Sequence, residues 1–301
     1  MRRNAGAILS NGIQPTIRTV AFLRDHPRLG WFPALGVGGS LLVWLGFFLV
    51  FRPLTRAVGV ALIETVGLDP LSAFTFGLYA STLLLFSALA TVVLFTNAGL
   101  VACTARLVDG EPVSIGAGVA DAFRALPQLV VLAVLTGAVG LVVALLERRT
   151  ERLGTVFAAT VGTSYVALTF FVTPAAVLDG APTVEMFRES ASMVRSNVGD
   201  VAAVHLGVVP VVGTLFSIPL FVMQFAVAVD MAVGTKQLPA LLEQHVVVLG
   251  GIPALSMWVG LVLGASLAAV AKTATYVAIV EDRSSVPVLD AEVTDVVVTS
   301  G

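Results

Sequence analysis

The stretch Pro70–Pro112, PLSAFTFGLYASTLLLFSALATVVLFTNAGLVACTARLVDGEP, carries no charge from Pro70 to Ala105 and closes on Asp109-Gly110-Glu111-Pro112. As one helix, its uncharged part would be about 54 Å long, although about 20 residues suffice to cross about 30 Å of hydrocarbon. A membrane-spanning helix that projects or bends is therefore expected. The closing residues read as an elbow, because glycine admits left-handed torsions, proline cannot continue a helix and aspartate bonds nearby amides. The same elbow returns 70 residues later as Asp179-Gly180-Ala181-Pro182. Each elbow follows a long apolar run and precedes a short amphipathic one.

Composition extends this reading to the whole chain. Of 301 residues, 57% are hydrophobic and 12% charged, with mean hydropathy +0.97, whereas soluble domains are about 25% charged. An ordinary cytosolic enzyme is excluded. The apolar runs are continuous rather than alternating, which favours helices over a barrel, since a helix satisfies its own backbone in lipid. A net charge of −2 gives no broad basic surface, so nucleic acid is not an expected partner. Cys103 is the only cysteine, which removes intrachain disulfides and multi-thiolate metal sites; it reads as a small buried hydrophobe. Met1–Thr16 lacks the apolar core of a signal peptide, so this segment is expected to be retained.

The pattern predicts an all-α integral membrane fold with crossings at 29–51, 72–105, 126–146, 153–178, 201–229 and 246–280, and a mobile acidic tail over 283–301. An interfacial helix over Asn11–Arg28 leads into the first crossing, which starts at Trp31 and Phe32 and offers Gly36, Gly39 and Ser40 for close packing. Leu54, Val58 and Leu62 predict a second surface helix between Arg52 and Pro70. After the first elbow, Ile115, Val119, Ala122 and Leu126 mark one helical face, with Asp121 and Arg124 off it. After the second, Val184, Phe187, Ala191, Val194 and Val198 recur at helical spacing, and Glu185, Arg188, Glu189, Ser192 and Arg195 are expected to face away. Glu147–Arg152 reads as a solvated charged turn, and Pro210 and Pro219 predict a kink or break in the fifth crossing. Gly260, Gly264, Ala268 and Lys272, four residues apart, form a stripe that should pack on another helix.

One inserted residue after the second elbow aligns Arg124 with Arg195, and Arg24-Asp25-His26-Pro27 supplies a third, similar start of a crossing. The expected plan is three helix pairs, each with a cytoplasmic interfacial amphipathic helix. Ten basic residues fall on the N-terminal side and six on the other, which predicts a multi-pass cell-membrane protein with both termini and both elbows in the cytoplasm. Repeats are common in transporters, but no broken helix is evident at matched positions here.

No motif points to catalysis or to a cofactor: His26, His205 and His245 lie far apart, and no zinc-protease, nucleophile-elbow or phosphate-loop pattern occurs. No enzymatic activity is expected. Asp109, Gly110, Pro112, Asp179, Gly180 and Pro182 are read as structural elbows, and Arg24, Arg124, Arg188 and Arg195 as contacts for lipid headgroups or a partner protein. The polar residues at membrane depth are Asn97, His205, Gln224 and Lys272. Asn97 and Gln224 are expected to bond between helices, and Lys272 to snorkel or pair. The readings are thus a non-catalytic membrane scaffold that binds lipid or an unidentified protein, with a permease-like protein for a small or lipidic solute as the alternative.

The segments Arg24–Pro33, Leu168–Pro174 and the second elbow with its helix through Arg195 resemble a family of uncharacterised prokaryotic six-helix membrane proteins, common in halophilic archaea. That resemblance covers nearly the whole chain and implies no activity. A looser likeness is to the membrane-anchor region of some glycerophosphodiester phosphodiesterases, whose catalytic domain has no counterpart here.

Overall fold

The computed structural model describes residues 17–149, 164–165, 168–196 and 246–280, with single residues and short pieces between 212 and 229. Most of the fifth crossing including Pro210 and Pro219, His205, Gln224, His245, the side chains of Glu147–Arg152, most of the fourth crossing and the tail lie outside the described residues.

Helix α1 (17–25) passes through a short 3-10 turn, Pro27–Gly30, into α2 (Trp31–Val66). Then follow α3 (Pro70–Val108), α4 (Ile115–Arg124), α5 (Leu126–Arg149), α6 (Val172–Leu178), α7 (Thr183–Ser196) and α8 (Val246–Val280). No strand occurs among the described residues. Four stretches are long and apolar enough to cross a membrane: Pro27–Val50, Pro70–Val108, Leu126–Val143 and Pro253–Val280. The chain is thus a helical membrane protein.

The expected surface helix between Arg52 and Pro70 does not form as a separate element. Helix α2 continues through Pro53 to Val66, 36 residues in all, and α3 is 39 residues long. At about 1.5 Å per residue they measure about 54 and 58 Å, so the two project together well beyond about 30 Å of hydrocarbon. Mutual packing explains why the helix survives its proline. Thr55 Oγ1 and Ser81 Oγ are 3.1 Å apart, and a Cβ on Gly77 would lie 2.8 Å from the Thr55 carbonyl oxygen. Nearer the elbows the small residues expected at Gly36 and Gly39 do meet α3, against Thr96 and Val92.

Among the described residues, the largest buried side chains gather at the elbow end of the bundle. Phe32, fully buried, fills a hollow where a Cβ on Gly99 would come within 2.3 Å of its ring. Helix α4 closes over the same place, since a Cβ on Gly118 would meet Cys103 Sγ at 2.6 Å. Leu29, Leu100, Val101, Val270 and Ala274 complete this core, and a second cluster gathers Leu132, Phe170, Phe171, Val172, Met186 and Tyr276. The α8 stripe packs as expected: Gly260 faces Phe216, Gly264 faces Val212, and Ser256 Oγ donates to the Phe216 carbonyl at 3.1 Å.

Candidate functional site

Both elbows adopt the backbone their sequence predicts. Gly110 and Gly180 have φ of 79° and 63°, the left-handed region. Asp109 and Asp179 are the residues that end α3 and α6. At the first elbow the Gly110 and Glu111 amides donate to the Leu107 and Arg106 carbonyls at 3.0 and 2.8 Å, which satisfies the last turn of α3. Five residues later α4 begins, with Ser114 Oγ accepting from the Ala117 amide at 3.4 Å. At the second elbow the Ala181 amide reaches the Ala175 carbonyl, and α7 starts directly after Pro182, whose carbonyl accepts from the Met186 amide at 3.0 Å.

Charge around the first elbow forms a half-buried cluster that joins α3 to α4. Asp121 accepts from Arg106 Nη2 and Arg124 Nη1, each at 2.5 Å, and the Arg124 side chain is 79% exposed. Around the second elbow the aspartate is exposed and is tied to α8 instead. Tyr276, fully buried on α8, donates its hydroxyl to Asp179 Oδ2. The aspartate, read above as purely local, is thus a tertiary contact.

The fourth crossing is not one helix in its described part. Residues 169–171 form a turn, and α6 starts at Val172. Pro174 has no amide hydrogen to give the Phe170 carbonyl, and its ring opposes helix at that point. The break is stabilised from α7: the Phe171 amide donates to Ser190 Oγ at 3.0 Å, with both residues fully buried. Phe187 and Val194 pack against the second cluster and Glu185, Arg188, Ser192 and Arg195 face out as expected, while the buried face is centred one position away from the expected one. Met186 and Ser190 are buried, whereas Val184 is 74% exposed. Glu189, expected outside, has its Oε2 buried and unpartnered among the described residues. The apolar period was legible, but the hydroxyl that seats the helix was not part of it.

Lys272 lies one helical turn deeper than Tyr276 on α8, with Nζ 4.5 Å from the centroid of the Phe170 ring. This is cation–π geometry rather than an ion pair. The Phe171 ring stands between the two layers, 4.8 Å from Phe170 and 5.8 Å from Tyr276, centroid to centroid. From the elbow inward the order is therefore carboxylate, phenol, paired aromatic rings and ammonium, beside a helix break. The phenyl rings separate the phenol–carboxylate contact from the ammonium, and the set contains no paired nucleophile and base. Among the described residues no group of three or more His, Cys, Asp or Glu could hold a metal.

The other candidate residues are spread apart. Asn97 Oδ1 accepts from Ser266 Oγ at 3.1 Å, linking α3 to α8. Arg24, Arg124, Arg188 and Arg195 are exposed, on α1, α4 and α7. Pro112 and Pro182 are exposed beside their elbows. Sequence reading missed Tyr276, Ser190 and the Phe170–Phe171 pair. Pro174, four residues after Phe170, was the available signal. A cleft of about 490 Å³ lies elsewhere, between α3, α5 and α8, with Lys272 not among its lining residues.

Comparison with curated proteins and with solved structures yields no match for this chain. Nothing in the comparisons links it to glycerophosphodiester phosphodiesterases. Over residues 77–286, from the eighth residue of α3 through both elbows and past the end of α8, the chain matches the family of unknown function DUF6159, and it belongs to that family.

Proposed function

We propose that this is a six-crossing cell-membrane scaffold, built from three helix pairs, whose amphipathic helices α4 and α7 hold anionic lipid headgroups or a partner protein at the cytoplasmic leaflet. One observation carries the reading. Arg24, Arg28, Arg124, Arg188 and Arg195 are all exposed, on elements that flank the elbow end of the bundle. Guanidinium groups in that position suit phosphate and carboxylate, and each basic residue near an anionic leaflet contributes about 1 kcal/mol. The excess of basic residues on this side supports a cytoplasmic orientation. The test is native mass spectrometry after extraction from the membrane. Replacing Arg124, Arg188 and Arg195 with glutamine should lower retained anionic lipid severalfold while leaving neutral lipid unchanged; equal retention of both would defeat the reading.

A permease-like role is the second reading, favoured by the break at 169–171 beside Lys272, since interrupted helices commonly form solute sites. Lys272→Met in reconstituted vesicles distinguishes the two. A solute flux that the substitution abolishes, with the fold intact, would support transport over scaffolding.

A further inference from the structure

The end of α4 carries a charged and an apolar side chain next to each other, and depth separates them. Asp121 accepts from Arg106 Nη2 and from Arg124 Nη1, so two guanidiniums share one carboxylate and the cluster keeps one positive charge in excess. Asp121 is mostly covered, whereas the Arg124 side chain is largely exposed. A guanidinium holds five N–H donors in a planar fork. The carboxylate engages Nη1 and fixes the direction of the fork, and the rest of it is left for an acceptor from outside.

The preceding residue supplies the apolar half. Phe123 is more than half exposed, and its ring meets Phe95 of α3 edge-on, with centroids 4.8 Å apart. Phe95 lies within the stretch of α3 that is long and apolar enough to cross a membrane, and the corresponding stretch of α5 starts at Leu126, just after Arg124. Phe95 also packs on the cluster of Ala98, Ala122, Ala125 and Leu129, the last of these already inside the α5 crossing. The Phe95–Phe123 pair therefore sits at the edge of the hydrocarbon. Arg106, linked to Arg124 through Asp121, stands about 16 Å nearer the elbow than Phe95 on α3, at 1.5 Å per residue. The charged cluster is thus on the elbow side of the rings.

Guanidinium outside and exposed ring inside is the order in which a phospholipid presents its phosphate and its chains. We propose that the outer face of this end of α4 seats one phospholipid of the elbow-side leaflet, with its phosphodiester on the Arg124 guanidinium and an acyl chain along Phe123 and Phe95. This site rests on the headgroup reading above and narrows it to one pair of residues and to lipid. The single negative charge of a phosphodiester matches the single positive charge in excess, and the planar fork suits phosphate oxygens. A water-soluble protein can reach the guanidinium but not a ring set against Phe95 at the hydrocarbon edge, where the apolar faces of interfacial helices are buried in lipid.

Native mass spectrometry of the protein in neutral detergent with added phosphatidylglycerol resolves the bound lipids one by one. The unsubstituted protein should hold a first phosphatidylglycerol that Arg124→Gln and Phe123→Ala each weaken severalfold, and that Arg188→Gln with Arg195→Gln leaves in place. Glycerophosphoglycerol, the same headgroup without chains, should not displace it at equal concentration. Both side chains are exposed, so neither substitution opens the core. A nitroxide gives a second readout: Cys103 is buried, so Phe123→Cys is labelled selectively, and in vesicles the label should be relaxed more by dissolved oxygen than by a water-soluble nickel chelate. Displacement by the chainless headgroup, a first lipid indifferent to Phe123→Ala or lost with the α7 pair instead, or a label relaxed mainly by nickel overturns the proposal. If that happens while the triple glutamine variant still loses anionic lipid, the headgroup reading stands; if anionic and neutral lipid bind every variant equally, both fall.

Discussion

At the first elbow a half-buried ion-pair cluster joins α3 to α4; at the second, the elbow's aspartate is tied to α8. The four-residue motif is the same in kind, and both glycines take the left-handed region. Yet Asp121 ties Arg106 to Arg124 in the first unit, while Asp179 and Ser190 tie α6 and α7 to buried Tyr276 and to a broken helix in the second. The start of the surface helix differs too: α4 begins after Ser114, but α7 follows Pro182 directly. A local motif fixes the turn, and the helices behind it decide what its aspartate does.

The largest expected effect breaks the first unit at its aromatic plug. Phe32→Ala empties the hollow that Gly99 and Gly118 shape around the ring, and large-to-small changes of this kind cost about 3–5 kcal/mol. Unfolding in micelles should register that loss, with α4 the first helix to lose amide protection. If α7 loosens equally, the two units are less independent than their contacts imply.

Next in size is the break itself. Ser190→Ala leaves the Phe171 amide buried without an acceptor, a cost of about 1–3 kcal/mol. Amide exchange at Phe171 should quicken, and no residue of α4 should respond. A silent Ser190→Ala would mean that Pro174 alone holds the turn and that α7 is seated only by its apolar contacts.

The elbows should be equal where the motif acts alone. Neither glycine has anything within 4 Å of an added Cβ, so replacement by alanine meets torsional strain only. Gly110→Ala and Gly180→Ala should each cost about 1–2 kcal/mol. A difference between them larger than the error of chemical unfolding would show that one elbow is strained by its surroundings.

Much of this fold was legible because its cause is local. Glycine before proline announced both elbows, and uncharged length announced the crossings that the structure describes. Small residues at Gly36, Gly39, Gly260 and Gly264 announced close packing. What escaped depends on distant partners. Arg52 read as the break between the first crossing and a separate surface helix, but contacts of Thr55 with Gly77 and Ser81 hold one continuous α2. On α7 the apolar period found Phe187 and Val194, which pack on the core, but periodicity counts apolar residues and cannot see that a serine hydroxyl is needed at Phe171 while Val184 is left exposed. Tyr276 is one aromatic in a long apolar run, and only the fold brings it to Asp179.

The smallest effect sharpens the comparison through a third turn, at the opposite end of α2 and α3, where Gly67-Leu68-Asp69-Pro70 carries the same residue types with glycine and aspartate exchanged. Gly67 again takes a left-handed φ, 71°, and its amide donates to the Ile63 carbonyl at 3.1 Å, ending α2. Asp69, however, now opens a helix rather than closing one, with Oδ1 accepting from the Leu71 and Ser72 amides at 3.1 and 3.0 Å. Hydrogen bonds from the Ser72 side chain, and then from the Ser72 and Leu71 amides, hold its carboxyl below the ordinary value. Because the folded form titrates lower than the unfolded one, the cap's contribution is present above the ordinary carboxylate pKa of about 3.9 and is lost as pH falls through the lower folded value. In an NMR titration the Leu71 and Ser72 amide shifts should move together with a midpoint below that of a free aspartate, and Asp69→Asn should abolish the movement while keeping α3. A midpoint at or above the free value would mean that the order of glycine and aspartate does not decide which helix the carboxylate serves.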